Sequence, residues 1–337
     1  MNRIIKVDSN VSKDRIRIEL FLSDVCNYKC WYCFPGSNDN THPWPKLDLI
    51  VKNLSHVIEY YKTHLNKKSI YLHIIGGEPS LWRDIGEFIK IFKEKYKCII
   101  SISTNGSRTL RWWEEYGHYF DQVMISCHHQ FVKVPHVIDI ANTLYKKNVN
   151  LVAMVLMDPN EWDKCISIIE ALKTSKYPWP ISPVEVNHEN SHYTKEHREF
   201  IEKNLTIRNT SFWYWLRSNK ISWPKPTITF NDGTKKRVTL NWLSLNEQNR
   251  FFGWDCNLGI DTFYIHKSGQ LQGACGQALY NLDFKYNIFD EDFTEKFHPN
   301  ITSVTCQQFN CGCQPETNAR KTFKKVEFKK VIPLVQL

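Results

Sequence analysis

"IRIELFLSDVCNYKCWYCFPG", residues 16–36, joins an apolar run of strand length to three cysteines separated by three and then two residues. The run 16–22 has the length and residue types of a β-strand, and Cys26, Cys30 and Cys33 follow it directly. The beginning of the chain has no apolar stretch of signal-peptide length. No later segment approaches the roughly 18 uninterrupted apolar residues of a membrane span. The expectation is therefore a cytoplasmic protein with no membrane segment. In a reducing compartment clustered cysteines bind metal or do redox chemistry more often than they pair as disulfides.

Working outward, the same strand-then-helix pattern repeats. Strands are expected at 16–22, 69–75, 99–103, 122–126, 150–156 and 183–187, with helices at 47–64, 84–95, 110–116, 136–146, 161–173 and 195–203. Six such units predict an α/β fold with a parallel sheet and right-handed crossovers; periodicity does not say whether the sheet closes. In such sheets reactive groups belong on loops leaving the carboxyl ends of strands. The three cysteines obey that rule after the first strand, and "GGEPS" (76–80) obeys it after the second. "STNGS" (103–107) ends the third strand, and "SCHH" (126–129) ends the fourth. His128 and His129 therefore point toward the mouth, as do Asn187 and His188 after the sixth strand; His128 is the candidate to orient a substrate or move a proton. Cys98 and Cys165 read as core thiols, and Cys127 lies at the rim.

The chain has 337 residues, 42% hydrophobic and 14% aromatic, enough for a large domain and a smaller one. The alternation stops near residue 205. Hairpins are expected to turn at residues 231–233 and 267–269, the second bracketed by Cys256 and Cys275. The expected organisation is a barrel-like unit over 1–205, a bridging insert over 206–250, a small β-rich cysteine-bearing unit over 251–320 and a basic tail over 321–337. Lys and Arg number 44 against 35 Asp and Glu, a net +9, and part of the excess sits in that tail. A solvated tail explains it more simply than a phosphate-binding surface.

Three thiolates fall one short of the four that a closed structural zinc site wants. A four-iron four-sulfur cluster held by three thiolates leaves one iron open to an outside ligand. With "CNYKCWYC" matching CxxxCxxC and "GGEP" matching a glycine-glycine-glutamate-proline motif, the sequence resembles the radical S-adenosylmethionine (radical SAM) superfamily over about residues 14–205. The resemblance implies a partial (β/α)6 TIM-type barrel and a cluster held by Cys26, Cys30 and Cys33. It implies that the open iron is chelated by S-adenosylmethionine, whose one-electron reductive cleavage gives a 5′-deoxyadenosyl radical that takes a substrate hydrogen atom. It places Tyr32 against the adenine and the Gly76, Gly77, Glu78 and Pro79 turn at the methionyl group, with Ser103, Asn105 and Ser126 as candidates for the ribose and carboxylate. It also implies a reductant such as flavodoxin or ferredoxin.

Cys256, Cys275, Cys306, Cys311 and Cys313 form a second set that looks like the auxiliary-cluster extension called SPASM, or its shortened twitch form. Five cysteines suit one auxiliary four-iron four-sulfur cluster, held by Cys256, Cys275 and two of Cys306, Cys311 and Cys313; zinc is the alternative occupant. In similar proteins auxiliary clusters go with oxidative modification, so a peptide substrate leads: a crosslink, thioether or epimerisation. With the first cluster cysteine at residue 26 there is no room upstream for a winged leader-recognition domain, so a peptide would need a separate recognition protein. A small molecule such as a sugar or nucleotide derivative is the second reading, and activation of a glycyl radical enzyme the third. Outside enzymology, the alternative is a metal-binding scaffold or nucleic-acid-binding module.

Overall fold

The computed structural model describes residues 3–9, 13–186, 191–204, 226–238, 243, 246–272, 286–306, 311 and 319–323. The chain opens with β1 (Ile4–Asp8) and β2 (Arg15–Phe21). Alternation then follows: α1 (Leu47–His64), β3 (Ser69–Ile75), α2 (Ile85–Glu94), β4 (Ile99–Thr104), α3 (Leu110–Tyr116) and β5 (Gln122–Cys127). It continues through α4 (Val134–Lys146), β6 (Asn150–Met157), α5 (Trp162–Leu172), β7 (Ile181–Glu185) and α6 (Lys195–Asn204). Strands β2 to β7 pair in sequence order and in parallel, as the six-unit reading expects. The result is an α/β fold with an open parallel sheet, consistent with a partial TIM barrel. Strand β7 starts two residues before its expected position, so that Pro183 lies inside it and not at its start. At the edge of the sheet a residue without an N–H donor costs no ladder bond. Asn187 and His188 lie outside the described residues.

Alternation along each strand gives the sheet two unlike faces. Ile16, Ile18, Leu20, Ile70, Leu72, Ile74, Ile100 and Ile102 pack with the helices into one core. On α1 the buried residues Ile50, Leu54, Val57, Ile58 and Tyr61 recur at helical spacing and meet that face. The intervening strand positions are Arg17, Glu19, Tyr71, His73, Ser101, Ser103 and Gln122, a polar inner face. Hydrogen bonds knit it together: Tyr71 Oη donates to Gln122 Oε1 at 3.1 Å, and His73 Nδ1 lies 3.0 Å from Ser101 Oγ.

The remaining elements are β8 (Thr227–Phe230), β9 (Lys235–Arg237), β10 (Asp255–Cys256), β11 (Thr262–Ile265), β12 (Leu271–Gln272), α7 (Phe293–Lys296), β13 (Val304–Thr305) and β14 (Lys321–Thr322). Both anticipated hairpins, β8–β9 and β11–β12, are present. The two sheets nevertheless do not divide the chain at 205 and 250. Strand β11 pairs in parallel with β2, setting Thr262 opposite Arg17 and Ile265 opposite Leu20, so the main sheet runs β12-β11-β2-β3-β4-β5-β6-β7. Conversely β1 belongs to the antiparallel sheet β13-β10-β14-β1-β8-β9. Composition marks where alternation ends; the pairing is instead decided by which strand edges remain open.

The basic tail also needs correction at its start. Lys321 and Thr322 are strand, pairing with both β1 and β10, and the Lys321 ammonium donates to Ala319 O at 3.0 Å from a buried position. Buried ion pairs tie this end to the barrel: Asp261 takes Lys67 Nζ at 3.1 Å and both Nε and an Nη of Arg320 at 2.9 and 2.8 Å. Among the described residues no helix is long and apolar enough to cross a membrane.

Candidate functional site

The cysteine segment leaves the carboxyl end of β2 as a wide loop. Inside it the Cys33 N–H donates to Cys30 O at 3.1 Å and the Tyr28 N–H donates to Cys26 Sγ at 3.3 Å. None of the three thiols is in a disulfide. Burial raises the pKa of all three: Cys30, pushed up to about 12, feels first burial and then Cys33 and Cys26, Cys33 feels burial and then Cys26, and Cys26 feels burial with Glu78 adding. Protonated thiols in this loop would be converted to ligands by a cationic iron core. A cluster binds each thiolate through a separate iron. The donor set thus fits a cluster with one open iron.

The GGEP turn is built against this loop. The β2–β3 pairing runs past both strands: Leu22 N donates to Ile75 O at 3.1 Å, Gly77 N to Ser23 O at 2.9 Å and Glu78 N to Val25 O at 2.8 Å. A Cβ on Gly77 would stand 2.5 Å from Val25 O, and one on Gly76 2.6 Å from Ser23 O. The glycines admit the backbone of the cysteine loop. Pro79 opens a buried 3₁₀ turn over Pro79–Leu81 that Glu78 caps. The Glu78 carboxylate, fully buried, accepts from Ser80 N at 3.0 Å, from Thr104 Oγ1 at 2.7 Å and from the Asn105 N–H. Its charge is spent on fixing the ends of β3 and β4.

Asn105 completes the link. Its Nδ2 donates to Asn27 Oδ1 at 2.9 Å, within the cysteine loop, and its Oδ1 accepts from Ser107 N at 2.9 Å. Ser103 Oγ lies 3.2 Å from His73 Nε2, on the polar inner face. Ser126, near the end of β5, is half-buried. Tyr32 is buried; its ring lies 5.8 Å from that of His128 at 17°, and its Oη is 3.2 Å from His128 Nδ1. Burial pushes His128 down to about 4, which leaves a neutral imidazole at physiological pH. His129 is buried with Nε2 3.7 Å from Asp158 Oδ2. Cys127, at the rim in sequence, faces the helices and packs in the core with Cys98 and Cys165.

Three of the later cysteines lie in or beside the second sheet. Cys256 of β10 and Cys306 share an apolar cluster with Val304, and Cys306 also packs with the cluster holding Cys311. Backbone bonds fix the grouping: Cys306 N to Trp254 O at 2.7 Å and Cys311 N to Asn249 O at 2.8 Å. Cys275 and Cys313 lie outside the described residues. Asp24 and Asn27 at the cysteine loop and Glu19 and His73 on the polar inner face are residues that sequence reasoning did not single out. The only trace of the inner pair is a charge or imidazole at alternate positions of otherwise apolar strands.

Residues 20–172 match the model of the radical SAM superfamily. GTP 3′,8-cyclase of Vibrio cholerae is 32% identical over 104 residues, 30% of this chain and 30% of that protein. GTP 3′,8-cyclase of Cronobacter sakazakii is 31% identical over 104 residues, 30% of this chain and 31% of that protein. The matched region thus spans under a third of these relatives. Among solved structures, anSMEcpe with bound AdoMet superposes with a TM-score of 0.51 at 17% identity, covering 85% of this chain and 78% of that one. Its complex with AdoMet and the Cp18Cys peptide gives 0.50 at 17% identity, covering 85% and 80%. Motif, parallel-sheet fold and the match to the radical SAM superfamily model coincide on one segment, residues 20–172.

Proposed function

We propose that this chain is a radical SAM enzyme that binds S-adenosylmethionine over the loop of Cys26, Cys30 and Cys33 and takes a hydrogen atom from a peptide, with a second cluster assisting its oxidation. With a four-iron four-sulfur cluster and S-adenosylmethionine bound, one-electron reduction by a flavodoxin or ferredoxin would supply a 5′-deoxyadenosyl radical. The observation that carries the reading is the seam between motifs: Gly77 and Glu78 hydrogen-bond the backbone of Ser23 and Val25, so thiol loop and GGEP turn form one wall.

The chain's own residues have distinct tasks in this reading. Cys26, Cys30 and Cys33 hold the cluster, and the Gly76–Gly77 backbone borders the methionyl group. Glu78 and Asn105 hold that wall in place through the contacts described above. Tyr32 offers its ring to the adenine, and His128, neutral and bonded to Tyr32 Oη, orients that ring in preference to moving a proton. Ser103 and Ser126 face the ribose and carboxylate from the strand ends. In the second sheet Cys256, Cys306 and Cys311 supply ligands for the auxiliary cluster, with Cys275 or Cys313 completing it.

Similarity to the GTP 3′,8-cyclases over 104 residues favours a second reading, in which the substrate is a nucleotide-like small molecule. Anaerobic reconstitution with iron and sulfide, followed by a dithionite-driven assay for 5′-deoxyadenosine, tests the chemistry. About eight irons per chain are expected, falling to about four with loss of deoxyadenosine in the Cys26, Cys30, Cys33 triple alanine variant. Tightly held zinc and no deoxyadenosine from the wild type, with candidate substrates present, would overturn it.

A further inference from the structure

We propose that Asp24 and Lys267 are positioning residues of the cysteine loop, which makes the β11–β12 hairpin part of the cluster site although it follows in sequence more than two hundred residues later. The inference rests on the radical SAM reading for what the loop holds; the clamp itself rests on geometry alone.

Asp24 lies two residues before Cys26 and its side chain is fully buried. Its Oδ1 accepts from Thr41 N at 2.9 Å and His42 N at 2.8 Å. Its Oδ2 accepts from Thr41 Oγ1 at 2.7 Å and Lys267 Nζ at 2.9 Å, and lies 2.9 Å from His42 Nδ1. One carboxylate therefore joins the start of the loop to its return at residues 41–42. Further bonds seal the neck: Ser23 Oγ donates to His42 O at 2.6 Å and Cys26 N to Asn40 Oδ1 at 2.8 Å.

Lys267 closes the other side. From the turn of the hairpin its ammonium also donates to Gly36 O, three residues beyond Cys33. A single cation thus grips the chain on both sides of the three cysteines. Gly36 has φ +81, and a Cβ there would meet Lys267 Nζ at 3.4 Å, so this residue's backbone conformation and lack of side chain both suit the contact. A structural ion pair would need only one of these contacts.

The test compares wild type, Lys267→Met, Lys267→Arg and Lys67→Met, the last removing a different buried lysine–aspartate pair as a control for general destabilisation. Hydrogen exchange of residues 26–42 is measured in the full chain without iron. After reconstitution, iron retention under chelator and the change in the reduced cluster's electron paramagnetic resonance on adding S-adenosylmethionine are recorded. Lys267→Met is expected to speed exchange of this segment about tenfold, lose iron faster and blunt the spectral change, with Lys267→Arg restoring part of each. Lys67→Met is expected to lower the melting temperature without these effects. Wild-type exchange in Lys267→Met, or equal loop exchange in both methionine variants, would overturn the clamp. If Lys267→Met does not fold, Lys267→Gln, which keeps a donor but no charge, carries the same expectation at about threefold. A wild type that takes up no cluster would count against the radical SAM reading, while the exchange measurement would still decide the clamp.

Discussion

At Glu78 a charged side chain sits where an apolar one would be cheaper to bury, and its three donors explain the choice. Burial raises its pKa, opposed by Ser80, Asn105 and Thr104. Glu78→Gln turns an acceptor oxygen into a donor facing an N–H or a hydroxyl, and should cost about 2 kcal/mol in urea unfolding of the iron-free chain. His73 makes a second residue-level case. Burial lowers its pKa from 6.5 to about 4, with Arg17 adding and Glu19 opposing. Between those values the unfolded chain takes up a proton that the folded chain refuses, so stability falls as pH drops through that window. His73→Gln should flatten that part of the stability profile by on the order of 2 kcal/mol, and a slope identical to wild type would show that His73 titrates normally in the fold.

At the scale of elements the β2–β3 seam carries the argument. Gly77→Ala puts a methyl group 2.5 Å from Val25 O and must push the GGEP turn off the cysteine loop. Its expected signature is reduced iron content and deoxyadenosine formation with far-ultraviolet dichroism unchanged. An alanine variant that loads iron like wild type would show that the two segments need not touch. The strands and helices were legible because their apolar positions recur with periods of two and 3.6, and they recur because one face of each packs in the same core. The cysteine loop and GGEP turn were legible for a different reason: a cluster needs thiolates, and a close backbone approach needs glycine. Asp24 was not, because a carboxylate beside a motif looks the same whether it faces water or collects five hydrogen-bond contacts. Nor was the placement of β1 and β11, since two and four strand residues per pairing carry no address for a partner hundreds of residues away.

At the scale of the whole molecule the two sheets are interlocked by chain crossing: the first strand serves the second sheet, and a late hairpin borders the first. A chain ended at residue 250 would lose β11 and β12, leave β2 as an unpaired edge and strip Asp261 from the buried Lys67. It should fail to unfold cooperatively and should bind a hydrophobic dye, whereas a sharp transition in that truncated chain would show that the residues before 250 fold alone. The same topology orders events in time. Asp24 and Lys267 are 243 residues apart, so at a ribosome's pace the loop is made tens of seconds before its clamp. For that interval the thiols of Cys26, Cys30 and Cys33 sit in a loop tied only at residues 40–42, and the grip on Gly36 waits for the hairpin.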